Sequence, residues 1–279
     1  MLFTAPDLAR RLEAAEALHV TRQIESYRRL RPGCTALAEP IAGGVAIASD
    51  AAFGRKLNHV VGAGLDRPLT PDDLDRVERL YDGMGLPTEI DLCPHADAGA
   101  LTALATRGYR VNAFSNSYGR LLTAADLAPA AVPGVEVRRV EAAEAERFVA
   151  TSVAGFSVQA HRRSADLLEV LARIALDRAD TTLYLAFVDG TVAGSAGLAA
   201  LETPEGPVAH LYIASTHPSQ RGRGVQAALL NARLADARRM GLELASIGAR
   251  PANTSARNAE RAGFRLAFTK PTFARPPAV

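Results

Sequence analysis

Two landmarks recur along this chain at nearly one spacing, and they constrain its fold more than any other feature. Met84-Gly85-Leu86 follows a helical pattern (Asp72–Asp82) and leads into a strand pattern, Glu89–Cys93, that ends at a proline. Met240-Gly241-Leu242 does the same 156 positions later, with its strand ending at Arg250-Pro251. A short alanine-rich helix then closes on Arg107-Gly108-Tyr109-Arg110, and its counterpart closes on Ala262-Gly263-Phe264-Arg265 at an offset of 155. Offsets that agree to one residue, with the same order of elements, indicate an internal repeat. A length of 279 residues suits two such copies. The seam is Leu127-Ala-Pro-Ala-Ala-Val-Pro-Gly134, small residues and two prolines that suit no core element.

The second copy is legible element by element. Val135–Val140 alternates as a strand, and Ala142–Phe156 and Ser164–Ala179 have helical apolar spacing. Thr182–Val188 and Val192–Ala199 flank Asp189-Gly190, a hairpin turn signal. Val208–Thr216 is a strand, Gly222–Met240 a long helix, Leu244–Ile247 a strand and Thr254–Ala262 a helix that Gly263 stops; strand resumes at Phe264. The order β-α-α-β-β-β-α-β-α-β predicts an α/β unit.

Composition narrows the function classes. With 32 basic and 30 acidic residues the net charge is +2, which gives no global field for nucleic acid or an anionic membrane. The only lysines, Lys56 and Lys270, read as arginine bias in the coding sequence. Two cysteines, Cys34 and Cys93, are too few for a disulfide framework and suit a reducing, cytoplasmic compartment. Met1–Leu30 lacks the apolar core of a signal peptide. The most apolar stretch, Thr181–Leu201, is broken by Asp189-Gly190 and reads as two buried strands, so no membrane span is expected.

The chemistry is expected in Pro218-Ser-Gln-Arg-Gly-Arg-Gly-Val-Gln226, between a strand and a long helix. Gly222 and Gly224 permit a tight turn and close approach of backbone to a ligand. The helix behind them offers free N–H groups and its positive dipole end to a pyrophosphate, with Arg221 and Arg223 adding charge. The alternative is a plain strand-to-helix turn with solvated arginines. Neither the Walker lysine nor G-x-G-x-x-G is present.

In context, strand, R-G-x-G turn, long helix, strand and a short helix ending Ala262-Gly263-Phe264, the second copy resembles the GNAT acyltransferase superfamily over about residues 135–275. Its [Q/R]-x-x-G-x-[G/A] signature is matched by Arg221-Gly-Arg-Gly224-Val-Gln226 except at Gln226, where the family has a small residue; Ser255-Ala-Arg-Asn258-Ala-Glu-Arg-Ala-Gly-Phe264 resembles its second block. The resemblance implies two GNAT-like domains of the α/β class, each a mixed, largely antiparallel twisted sheet flanked by helices: a degenerate copy at 1–128 and an acetyltransferase copy at 135–279. It implies acetyl-CoA in a gap between splayed strands. Backbone of Ala214, Ser215 and Thr216 would meet the pantetheine, and amides from Gly222 through Arg223, Gly224, Val225 and Gln226 to Ala227 the pyrophosphate. Asn253, Ser255 and Asn258 would add polar contacts, although Asn253 and Ser255 could equally be helix caps.

The family carries a base, often glutamate, six residues before the strand's end, and His210 stands there. Even spacing would place it on one strand face with Tyr212, Ala214 and Thr216 unless a bulge intervenes. At the ordinary histidine pKa near 6.5 it could take a proton from an amine at neutral pH; a structural histidine is the alternative. His161 is a lesser candidate for substrate contact. Many relatives have a tyrosine four residues before the second block's glycine to protonate the leaving thiolate; here that residue is Ala259. A thiol of pKa near 8.5 leaves tolerably unassisted.

In the first copy, Asp66-Arg-Pro-Leu-Thr-Pro-Asp-Asp73 stands in place of the glycine loop, and Asp72 and Asp73 would repel phosphate. Cys93-Pro-His95-Ala-Asp97 is an incomplete metal set. The expectation is transfer of an acetyl group from acetyl-CoA to an amine of a small molecule or peptide, with no metal. Ala259 and Gln226 favour a rival, an acyl-CoA-binding sensor without transferase activity; His210 and the intact R-G-R-G favour the enzyme.

Overall fold

The computed structural model describes residues 5–157 and 164–277, so His161 lies outside the described residues. The chain opens with a helix, α1 (Pro6–Leu30), whose start is set by Pro6 at its first position. Then come β1 (Leu37–Ile41), β2 (Gly44–Ala48), β3 (His59–Val61), α2 (Pro71–Asp82), β4 (Thr88–Asp91), α3 (Gly99–Thr106) and β5 (Arg110–Leu121). The second half adds β6 (Val135–Arg139), α4 (Ala145–Ser157), α5 (Ala165–Asp177), β7 (Thr181–Val188), β8 (Thr191–Leu201), β9 (Val208–Thr216), α6 (Val225–Arg239), β10 (Leu244–Ala249), α7 (Thr254–Arg261) and β11 (Arg265–Arg275). Both halves thus run strand, helix, parallel strand, short helix, antiparallel strand in their later part.

Local chemistry explains the places where the sequence reading shifts. Asp189 and Gly190 both take positive φ, 51° and 74°, the geometry of a two-residue hairpin between β7 and β8. The long helix, expected from Gly222, begins at Val225 because Gly222 and Gly224 sit at φ +78° and +79°, outside helical space. The helix expected from Ala142 begins with a 3₁₀ turn over Ala142–Glu144, closed by a reciprocal cap between Glu141 and Glu144. The largest element missed is α1. Its inward face alternates Leu12, Val20, Ile24 and Tyr27 with Glu13, His19 and Gln23, all buried, and those polar residues blur the apolar period.

All strands join one sheet, in the order β1-β2-β3-β4-β11-β5-β10-β9-β8-β7-β6. The two halves exchange their final strands. β5, from the first half, pairs antiparallel with β10, and β11, the last strand of the chain, pairs antiparallel with β4. β5 and β11 then pair with each other from Arg265↔Gly119 to Ala274↔Arg110, so the seam is a strand pair drawn from both halves. Helix α1 lies across that seam; one buried cluster joins its Val20, Ile24 and Tyr27 to Val45 and Ile47 of β2 and to Leu167, Val170 and Ile174 of α5. A second joins Ala9 and Leu12 of α1 to Leu201 and Val208 of the second half and Phe268 of β11. The opposite face of β7 to β10 is covered by α6 and α7 through Leu229, Leu230, Leu234, Ala256 and Ala259. Among the described residues no helix is long and apolar enough to cross a membrane.

The exchange yields a direct test. Residues 135–279 made alone would leave β10 without its β5 partner, an open edge prone to association. Light scattering should show concentration-dependent association of this fragment, and co-production with residues 1–128 should restore a single species of full-chain mass. A monomeric fragment with fully protected β10 amides would mean that β11 can serve β10 directly.

Candidate active site

Strands β9 and β10 run parallel and are paired only at Ala209↔Ala245 and His210↔Ser246. Beyond that point both continue, β9 to Thr216 and β10 to Ala249, and each keeps its outer partner. Ser215 and Thr216 pair with Ser195 and Gly194 of β8, while Ile247, Gly248 and Ala249 pair with Tyr118, Ser117 and Asn116 of β5. The inner edges are therefore free, and a wedge opens between the strands just past His210.

A bulge shapes one wall of the wedge. The β8–β9 register shifts between Ser195 and Gly197, and Ile213 takes φ +46°, a costly conformation for a β-branched residue. The shift overturns the expected parity. His210 and Tyr212 face α1, and Ile213 and Ser215 stay on that side, packed on α4 and α5; Ala214 faces the α6 layer and Thr216 bonds to α6. Gly155 lets α4 approach, since a Cβ there would fall 2.4 Å from Ser215 Oγ.

At the mouth of the wedge, α6 starts without a side-chain cap and without an acidic residue in its first turn. Its leading N–H groups are thus free to bind an anion. Arg221 is exposed and carries no ion pair among the described residues, whereas Arg223 is tied to Asp189 (2.6 Å) and Gln220 (3.0 Å). A Cβ on Gly222 would enter open space, but one on Gly224 would fall 2.6 Å from Val132, so the connecting segment, not a ligand, covers Gly224. Gln226 donates to Thr216 Oγ1 (2.8 Å) and bridges the first turn of α6 to the end of β9. Asn253 caps α7 by accepting from the Ala256 amide (2.7 Å); Ser255 and Asn258 lie on the same helix, Ser255 exposed and Asn258 half-buried.

Residues 146–264, which hold this wedge and the uncapped helix, match the model of the Acetyltransferase (GNAT) family. That region of the chain is similar to GNAT acetyltransferases. The whole fold is similar to a GCN5-related N-acetyltransferase from Kribbella flavida (19% identity, 94% of this chain and 96% of that one, TM-score 0.61). It is similar to a tandem GNAT protein from the clavulanic acid biosynthesis pathway (14% identity, 100% and 98%, TM-score 0.61). A functionally unknown conserved protein from Staphylococcus epidermidis has the same fold (10% identity, 90% and 98%, TM-score 0.61). No curated protein matches the chain. The architecture is that of a tandem GNAT protein, and the family uses acyl-CoA.

Within residues 146–264, His210 is half-buried at the apex of the wedge, with Nδ1 3.0 Å from Ser246 Oγ across the last paired rung. Burial pushes its pKa down to about 4; nearby Glu16 opposes the shift, while Arg178, Lys56 and Lys270 add to it. It is therefore neutral at pH 7. When Nδ1–H donates to Ser246, the Nε2 lone pair is free to accept a proton. Against it pack His19 of α1, with ring centroids 4.5 Å apart, and Tyr212, whose hydroxyl bonds Thr181 (2.8 Å). Ala259, in the place of the family tyrosine, is buried in the core beside Ala256 and Phe264.

Sequence reasoning missed the polar layer beneath α1. Lys270, set aside as compositional, is fully buried between Glu13 (2.9 Å) and Glu16 (2.6 Å). Burial raises Glu13 to about 7, and Lys270 holds Glu16 below the usual range despite burial. Arg178 is locked by Asp180 through two 2.9 Å bonds and donates to His19 Nδ1 (2.9 Å). The available signal was Glu13, Glu16, His19 and Gln23 recurring at helical spacing on the apolar face of α1. Among the described residues no group of three His, Cys, Asp or Glu side chains could hold a metal ion, and Cys34 and Cys93 are free thiols.

The counterpart in the first half is closed. β3 ends at Val61, where it is still paired to Asp91 of β4, so no wedge forms. The N-terminus of α2 is satisfied by a reciprocal cap between Thr70 and Asp73, and Arg67 beside Asp73 holds that carboxyl well below its usual range.

Three histidines kept neutral by the fold predict acid sensitivity. Burial lowers His59 and His210 to about 4 and also holds His19 well below its ordinary value, so the unfolded chain binds more protons below pH 6.5 and stability rises with pH from about 4 to 6.5. Glu13, raised to about 7, works in the opposite sense from 4.5 upward, but one group against three leaves the sign unchanged. His59 alone, 7% exposed, should contribute up to roughly 3 kcal/mol of the difference between pH 7 and pH 4. Circular-dichroism melts should give a lower Tm at pH 4.5 than at 7, with a smaller gap in His59→Gln; a flat profile would contradict the assignment.

Proposed function

We propose that this protein is an N-acetyltransferase that moves the acetyl group of acetyl-CoA to a primary amine of a small molecule or peptide, with residues 135–279 as the active copy and 1–128 as a degenerate one. The observation that carries the reading is the pairing of an open strand wedge with an uncapped, acid-free helix start in the second half, against a closed strand pair and a capped helix in the first.

Acetyl-CoA fits these residues. The amides of Gly222, Val225, Gln226 and Ala227, flanked by Arg221, would hold the pyrophosphate, and the free edge of β9 at Ala214, Ser215 and Thr216 the pantetheine. Bound there, it supplies the acyl group as a thioester whose carbonyl carbon an amine attacks. Free N–H groups of the β9 edge would donate to the carbonyl oxygen as it gains charge. As the C–N bond forms, the nitrogen's proton becomes acidic and passes to His210 Nε2, which a pKa near 4 keeps ready to accept it. The C–S bond breaks, and the thiolate takes a proton from water or from His210, since Ala259 has none to give. Ser246 acts as a positioning residue by fixing the ring.

An acyl-CoA sensor remains the second reading, favoured by the Gln226–Thr216 bridge at the mouth and by Ala259. Thiol release with an amine panel separates the two. Calorimetry should show acetyl-CoA binding that Arg221→Glu weakens roughly tenfold or more, because a carboxylate replaces an exposed cation at the phosphate end. Equal affinity would remove the cofactor assignment. His210→Gln should lower kcat by roughly a hundred- to ten-thousandfold with acetyl-CoA affinity nearly intact. The parental acidic limb should lie near pH 4, well below the ordinary histidine value, and be absent from the variant. A variant with parental kcat would leave His210 a structural residue.

A further inference from the structure

The first half contributes a side chain to the apex of the wedge, and its protonation is fixed by its partner. A guanidinium can only donate, so the Arg178 Nη1 bond to His19 Nδ1 (2.9 Å) requires a lone pair on that nitrogen. Arg178 cannot turn away: it is 1% exposed, bound twice by Asp180, and also 3.3 Å from the His19 carbonyl oxygen. His19 therefore carries its proton on Nε2. A second proton would have to sit on Nδ1 against the guanidinium, and burial further disfavours the cation.

His210 is held in a complementary way, with its Nδ1 anchored to Ser246. The two rings lie 4.5 Å apart at 48°, and Tyr212 meets His19 edge-on at 4.6 Å. Each imidazole is tied to the protein by Nδ1, so each has only Nε2 for a ligand: a fixed donor on His19 and an acceptor on His210. His210 is half-buried, and His19 beside it is 6% exposed. Tyr212 adds no free hydroxyl, since its own bonds Thr181. The acids nearest the pair on α1, Glu13 and Glu16, are committed to Lys270.

We propose that His19 is a specificity-determining residue: its Nε2–H pairs with an oxygen on the carbon next to the one bearing the reacting nitrogen, so the acceptor is a primary amine with a vicinal hydroxyl or carbonyl oxygen. This rests on the transferase reading above. The amine nitrogen meets His210 while the neighbouring oxygen meets His19, two adjacent polar atoms of one molecule against two adjacent imidazoles. A plain alkylamine leaves the His19 donor unpaired in a buried setting, which lowers its rate relative to the oxygenated partner.

The test uses the full chain, acetyl-CoA and matched pairs of primary amines that differ only by a hydroxyl on the adjacent carbon. The wild type should favour the hydroxylated member by roughly tenfold or more in kcat/KM. His19→Phe, which keeps a ring but removes the donor, should bring that ratio close to one, while His19→Gln, which keeps a donor and an acceptor for Arg178, should retain part of it. Calorimetry with acetyl-CoA checks that each variant holds the cofactor, and if His19→Phe does not fold, the Gln variant and the wild-type ratio still decide. A wild type with no preference overturns the proposal. So do variants with the parental ratio, including variants in which both rates fall together, since that marks a packing role. Acetyl-CoA binding without transfer to any amine removes the proposal together with the transferase reading, and no binding removes the cofactor assignment beneath both.

Discussion

Backbone pairing between β9 and β10 lasts for two residues, and the chemistry of the molecule depends on where it stops. Parallel strands that stay paired offer no room and no free N–H groups; parted strands offer both. The parting is tolerable because each strand keeps a partner on its other side, β8 for β9 on both sides of the bulge and β5 for β10. Helix α6 packs its Leu229, Leu230 and Leu234 over the same sheet, and the bulge at Ile213 turns the end of β9 while Ser215 stays bonded to Ser195 (3.2 Å). A strained wall is thus held by regular structure on every other side.

The same comparison explains why one half of a repeated chain is open and the other shut. At the first-half position, β3 is three residues long and ends while still paired. The helix that follows is given Thr70, Asp73 and Arg67, which spend its end charges internally. What the first half keeps is scaffold and side chains. It lends β5 to the second half's sheet and α1 to the floor of the wedge.

Much of this was legible in the residues. Gly222 and Gly224 marked the turn, Asp189-Gly190 the hairpin, and the Met-Gly and Gly-aromatic landmarks the repeat, because each depends on local backbone geometry. His210 stood out through its distance from the loop. What stayed hidden depends on elements remote in sequence. Nothing near Ser246 or His19 shows that they will meet His210. The bulge broke the parity that alternate spacing implies, and the buried polar stripe of α1 masked an apolar one. Lys270 looked like compositional noise until two carboxylates closed around it.

The exchanged strands also set a clock for synthesis. As the chain leaves the ribosome, β1 to β4 can assemble early, but the outer edge of β4 has no partner until Arg265–Arg275, the final strand, is free. Strand β5 emerges long before β10, the neighbour it will serve. Both seams therefore close only after β10 and β11 are made, with closures spanning well over a hundred residues. Such long-range pairing is slow, and waiting strand edges invite the wrong neighbours. Until β11 arrives, Val20 and Ile24 of α1 can already cover Val45 and Ile47 of β2, but Glu13 and Glu16 wait for Lys270, which comes only with that strand.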